Sequence, residues 1–152
     1  MSSVFVYGTL RPGQVNYSIV SAAVTEQVPA RLDDHALRAA VTAGFPYGTL
    51  ADGHQVVGDL LRLERSAETD LLGVLDRLEG YRPQAVSGSH FVRVRRSVTT
   101  TAGSSYGPTG TVVEAWLYLA GPRIRLDGLD LVTGGDWATR GPNNPPPVRR
   151  WS

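Results

Sequence analysis

Residues 66–78 carry the clearest repeat in the chain. Leu71, Val74, Leu75 and Leu78 recur at helical spacing. One amphipathic helix must lay its apolar stripe on another layer. Most other apolar stretches alternate with a period of two, so that layer is a sheet. The expectation is an α+β fold: a small mixed sheet, curled toward a β-barrel, with one main helix. Ser66 is read as the helix N-cap, and Glu68 and Asp70 suit the positive end of the helix dipole. Gly80 supplies the stop.

Val4-Phe5-Val6-Tyr7 is a β-branched and aromatic run ending at Gly8, read as a strand. Gly8-Thr9-Leu10-Arg11-Pro12-Gly13 is a turn-rich loop, and Asn16 is placed to cap a short helix over 18–23. Strands are expected at 36–40, 55–63, 91–98 and 111–119. In 55–63, Val57, Leu61 and Leu63 share a face that Asp59 interrupts. In 111–119, Val113, Ala115, Leu117 and Leu119 share one face, and Val112, Glu114, Trp116 and Tyr118 the other. Residues 43–48 form a second Gly/Pro loop, and 99–110 a polar loop. Residues 1–140 are expected to be one domain and 141–152 a Pro-rich tail, since Asn143-Asn144-Pro145-Pro146-Pro147 cannot continue a helix or fill a sheet ladder.

The 152 residues fit one domain of the usual size. A formal net charge of +1 gives no field for drawing in nucleic acid or an anionic membrane. The absence of Cys removes disulfides, thiolate nucleophiles and Cys-ligated zinc together, and fits a cytoplasmic setting. No leader or membrane-spanning run is expected. All fifteen Lys/Arg positions are Arg, which fits either GC-rich bacterial coding or a need for guanidinium forks. His35, His54 and His90 are too scattered for metal-ligand spacing and are read as loop or surface residues. No nucleophile-elbow motif is present. Arg93, Arg95 and Arg96 are read as a solvated strand face.

On a helical wheel each residue turns about 100°. With Leu71 as reference, Glu79 falls between Leu75 and Leu72, on the apolar face, while Gly73, Asp76 and Arg77 turn away. A carboxylate on a core-facing stripe is the informative anomaly. Desolvation and the carbonyl end of the helix both disfavour its charge, which would move it toward the range useful for acid–base work. The alternative is a Glu that reaches solvent at a frayed helix end, or pairs with Arg77 or Arg82. The 7–13 loop also has two readings. Its amides can form a nest for a carboxylate or oxyanion, with Gly8 allowing close approach, or it is a plain strand–turn–helix connection. Its Gly spacing fits neither a dinucleotide nor a Walker loop.

Val4–Gly13 with Asn16 resembles the opening signature of the gamma-glutamyl cyclotransferase-like superfamily. Leu75-Asp76-Arg77-Leu78-Glu79-Gly80-Tyr81 resembles its second signature, which carries the catalytic glutamate. Gly44-Phe45-Pro46, the 116–119 strand and Gly135-Asp136-Trp137 match in order and spacing. The branch is similar to the gamma-glutamylamine cyclotransferases and the butirosin-type cyclotransferase. The resemblance implies intramolecular aminolysis that releases 5-oxoproline and a free amine, with no metal or cofactor. It assigns Glu79 as acid–base, and Tyr7, Gly8, Thr9, Leu10 and Tyr118 as substrate-binding residues. The Tyr118 phenol would then bond the glutamyl group or Glu79, although a core Tyr is the equal alternative. Tyr7 is a pocket wall or packing. Asn16 is read as a cap, Phe45 and Pro46 as pocket lining, and Trp137 as a structural plug. Contacts to the amine half are expected from 45–53 and 99–110.

The expected partner is a small gamma-glutamyl substrate, with no nucleic acid or membrane, and the chain a monomer or weak homodimer. Two other readings stand beside the enzyme. One is a ligand-binding relative without catalysis. The other is an interaction domain using Pro145-Pro146-Pro147 and Arg149-Arg150 as a polyproline-type ligand.

Overall fold

The computed structural model describes residues 2–40 and 44–139; the Pro-rich tail lies outside them. The described residues form six strands and one α-helix: β1 (Ser3–Val6), β2 (Val24–Ala39), β3 (Tyr47–Leu63), α1 (Glu68–Glu79), β4 (Phe91–Thr100), β5 (Val112–Ala120) and β6 (Asp130–Leu131). The sheet order is β3-β1-β5-β4-β2-β6, and β2 pairs with β3. That pairing closes the first five strands into a mixed barrel and leaves β6 appended to β2. β1 is parallel to β5 and antiparallel to β3. Among the described residues no helix is long and apolar enough to cross a membrane.

Strand alternation sorts the apolar residues into two cores. Phe5, Leu32, Leu60, Leu117 and Trp137 fill the barrel. Val4, Val6, Leu61 and Leu63 face outward and are covered by Leu71, Leu72 and Leu75 of α1. β1 is therefore buried on both faces, which is why it reads as a continuous apolar run. Gly58 makes its packing possible. A Cβ there would sit 2.3 Å from the Val6 carbonyl oxygen, so β1 and β3 could not approach as they do.

The strands of the hairpin exceed expectation. β2 begins at Val24 and β3 at Tyr47, so 24–35 and 47–54 are strand. Their sequence is broken by Pro29, Gly48 and Gly53, yet antiparallel pairing runs along the hairpin with shifts at Val24/Glu26 and Asp33/His35. Tertiary pairing overrides weak local propensity here. The helix expected over 18–23 is instead two 3₁₀ turns, Tyr17–Ile19 and Ser21–Ala23.

α1 departs from the wheel in two instructive ways. Val74 is 39% exposed, and Asp76 is half-buried. The buried residues are Leu71, Leu72 and Leu75, so the stripe is centred toward Leu72, away from Val74 and toward Glu79 and Asp76. Ser66 does not cap α1. It lies in the 3₁₀ turn Arg65–Ala67, where the Ala67 amide donates to Glu64 O at 3.1 Å and the backbone closes the entry itself. Gly80 does end the helix, at φ 67°.

One histidine lies neither in a loop nor at the surface, contrary to expectation, and a second, half-buried in a loop, is more engaged than expected. His35 is buried in β2, with Nδ1 2.8 Å from Asp33 O, and His90 packs in an aromatic cluster with Phe45, Tyr47 and Phe91. The arginine face is also more built than expected. Arg93 and Arg95 lie over the Trp116 ring, 4.8 and 4.9 Å from its centroid.

Candidate active site

Glu79 is the last residue of α1, and Gly80 turns the chain there through the left-handed region. The helix thus ends with its final side chain at the rim of a cleft. The loop that leaves β1 lines the same cleft, including Tyr7, Gly8, Thr9 and Leu10. Phe45, Pro46, Leu78, Phe91 and Tyr118 complete most of the remaining wall. The open space, mouth included, is about 490 Å³.

The loop is held from behind. The Arg11 amide donates to Gly8 O at 3.1 Å, and the Asn16 amide to Thr9 O at 2.8 Å. The Arg11 side chain bonds Asp59 on β3 at 2.8 Å and Asp136 at 2.7 Å. Asp59, which interrupts an apolar face in the sequence, is there for this pair. Partial burial alone would lower the Arg11 guanidinium, but its bonds to Asp59 and Asp136 outweigh that and hold it above its ordinary value. Among the described residues, the amides of Gly8, Thr9 and Leu10 donate to no protein acceptor. Three unengaged N–H groups on one tight loop offer a site for negative charge.

Tyr7 and Tyr118 have their polar ends committed within the protein. The Tyr7 hydroxyl donates to the Tyr118 carbonyl and accepts from the Gly48 amide at 3.1 Å, so its ring is the part that lines the cleft. The Tyr118 hydroxyl donates to Asp76 Oδ1 at 2.6 Å, a partner that none of the sequence readings named. Arg93 Nη1 approaches the other Asp76 oxygen at 3.5 Å. Burial, the Asp76 bond and the charges of Asp76 and Glu79 push the Tyr118 phenol well above its ordinary range, against a smaller opposite pull from Arg93. Asp76 turns toward the site because the buried side of α1 is shifted toward Leu72.

Asn16 is not a side-chain cap. It is 1% exposed, lines the cleft, and donates from Nδ2 to Thr9 Oγ1 at 3.1 Å. Its Oδ1 is buried with no hydrogen-bond partner among the described residues. The sequence signal was its place in the opening signature, but Asn is also a common cap and the local pattern favoured that reading. Phe91 had no signal beyond its place in an alternating strand, whereas Leu78 lies inside the second signature. The 99–110 segment does not reach the cleft. Its Tyr106 packs instead under Arg62, 4.3 Å from the ring centroid, and bonds Ser3. Of 45–53, only Phe45 and Pro46 line the cleft, because the rest is β3.

The family model described as "Gamma-glutamyl cyclotransferase, AIG2-like" matches residues 4–139. The chain belongs to that family. Its fold resembles an AIG2-like protein of Mus musculus, at TM-score 0.69 and 19% identity, over 100% of this chain and 98% of that one. It also resembles an uncharacterized protein of Pyrococcus horikoshii, at TM-score 0.54 and 17% identity, over 90% of each chain. A structure titled gamma-glutamyl cyclotransferase matches at TM-score 0.51 and 17% identity, over 86% of this chain and 69% of that one. No curated protein matches the sequence significantly. Family membership suggests cyclotransferase activity, and residues from both 4–13 and 75–81 line the cleft.

Proposed function

We propose that the protein is a gamma-glutamyl cyclotransferase that releases 5-oxoproline and a free amine from a gamma-glutamylamine or a gamma-glutamyl-tagged metabolite. One observation carries this reading: a half-buried Glu79 at the end of α1 shares a cleft with a loop offering three unengaged amides. The substrate holds its own nucleophile, so the site mainly has to select the cyclising conformer. The α-ammonium loses a proton to Glu79. Its nitrogen lone pair then attacks the γ-carbonyl carbon, and the carbonyl oxygen takes the negative charge. Collapse breaks the bond to the leaving nitrogen, which receives that proton back from Glu79. The ring nitrogen, made cationic by the attack, then gives its second proton through Glu79 to the departing amine, which leaves as an ammonium and returns Glu79 as a carboxylate. The amides of Gly8, Thr9 and Leu10 serve the α-carboxylate or the developing oxyanion. Asn16 Oδ1 is a further acceptor for the amine.

Glu79→Gln keeps the shape of the side chain and removes the base. 5-Oxoproline release, followed by mass spectrometry, is expected to fall by roughly 100-fold or more. Release at the wild-type rate would remove Glu79 from this role.

A further inference from the structure

We propose that the amine half of the substrate is apolar, with an aromatic or branched alkyl group seated against Phe45, Pro46, Leu78 and Phe91. The inference rests on the cyclotransferase reading and adds the class of leaving amine to it.

The argument follows from where hydrogen-bonding capacity remains in the cleft. A gamma-glutamyl head presents an α-carboxylate, an α-amine and a γ-carbonyl. The described lining residues offer the loop amides, Thr9, Asn16 and Glu79, all on β1's loop or at the end of α1. The two lining hydroxyls of Tyr7 and Tyr118 already bond the Tyr118 carbonyl and Asp76. The wall made by Phe45, Pro46, Leu78 and Phe91 has no polar side-chain atom at all. Behind it, the Tyr47 hydroxyl and His90 Nε2 bond one another, so the polar tips of that cluster are engaged. A charged group placed on this wall would be desolvated with nothing to pair it.

The aromatic packing also argues against a cage for a cation. Such a cage needs open ring faces. Here Tyr47 and Phe91 stack on each other, with centroids 5.0 Å apart and an interplanar angle of 23°. Phe45 meets Tyr47 edge-on at 5.5 Å. The rings are packed mainly against one another, and the cluster gives the cleft an apolar surface.

The test is a set of gamma-glutamyl amides with one common head: those of benzylamine, isopentylamine, 1,4-diaminobutane, the lysine side chain and β-alanine. The readout is kcat/KM for 5-oxoproline release. The benzyl and isopentyl amides are expected to exceed the three charged ones by at least about tenfold. Phe45→Ala is expected to shrink that ratio several-fold, while Phe45→Leu, which keeps an apolar wall, retains most of it. The wild-type ratio depends on no variant folding. Equal rates across the set, or faster release from the diaminobutane or lysine amide, would overturn this inference and leave the cyclotransferase reading intact. No 5-oxoproline from any member would overturn that reading, and this inference with it.

Discussion

Tyr118 joins packing to electrostatics at a single side chain. Its phenol is buried against the outer core and bonded to Asp76, and Glu79 adds a further negative charge nearby. The folded state therefore holds this proton more tightly than the unfolded chain, where a tyrosine ionises near pH ~10. A group with a raised folded pKa contributes stability below its unfolded pKa, and that contribution is lost as pH rises beyond it. Thermal stability is thus expected to decline as pH rises above about 10, and Tyr118→Phe is expected to show a shallower decline in a pH series of melting curves. Near neutral pH the same variant leaves Asp76 without its hydroxyl donor. It is expected to be less stable by about 1 kcal/mol in denaturant titration.

At the scale of elements, α1 is both a lid on the outer core and the mount for Glu79. Leu75 is fully buried and Gly80 adopts φ 67°. Leu75→Ala is expected to cost about 2–5 kcal/mol. Gly80→Ala forces a Cβ into the left-handed region and to 3.1 Å from the His90 Cβ, at a cost of about 1–2 kcal/mol. Denaturant midpoints check both. Gly80→Ala is also expected to lower 5-oxoproline release in fully folded protein, because it shifts the residue that ends the helix beside Glu79. The helix, the stop at Gly80 and the two-faced β5 strand were legible in the sequence, because each rests on a periodicity or a local backbone rule. The length of the β2–β3 hairpin was not, since its pairing is set by partners far along the chain. Asp59 shows the same limit: its reason is Arg11, 48 positions away. In the site, Glu79 and the β1 loop stood out as motifs, but the partner of the Tyr118 hydroxyl did not. A wheel gives the direction of a side chain and not where the sheet beneath the helix is centred, so Asp76 was turned the wrong way.

For the whole molecule, Arg11 is the joint between three distant parts of the chain. It ties the β1 loop to β3 through Asp59 and to the segment after β6 through Asp136. All three side chains are at least three-quarters buried. Arg11→Met would leave two carboxylates close together without their cation. The expected loss is about 2 kcal/mol by denaturant titration, and under the proposed function KM for the gamma-glutamyl substrate is expected to rise more than kcat falls, because the loop amides are the groups assigned to the head group.

The parallel pairing of β1 with β5, at Val4 and Trp116, has a consequence for the order of assembly. The first strand made must wait for the fifth, and the Arg11–Asp136 bond spans 125 positions. Closing so long a loop precedes the contacts that reward it, which slows folding. The β2–β3 hairpin and α1 precede β5 in the chain, so the β1–β3 pairing can form without it. The chain can thus seat β1 against β3 and α1 early, but its β1 loop stays without the Asp136 anchor until the segment after β6 has been made.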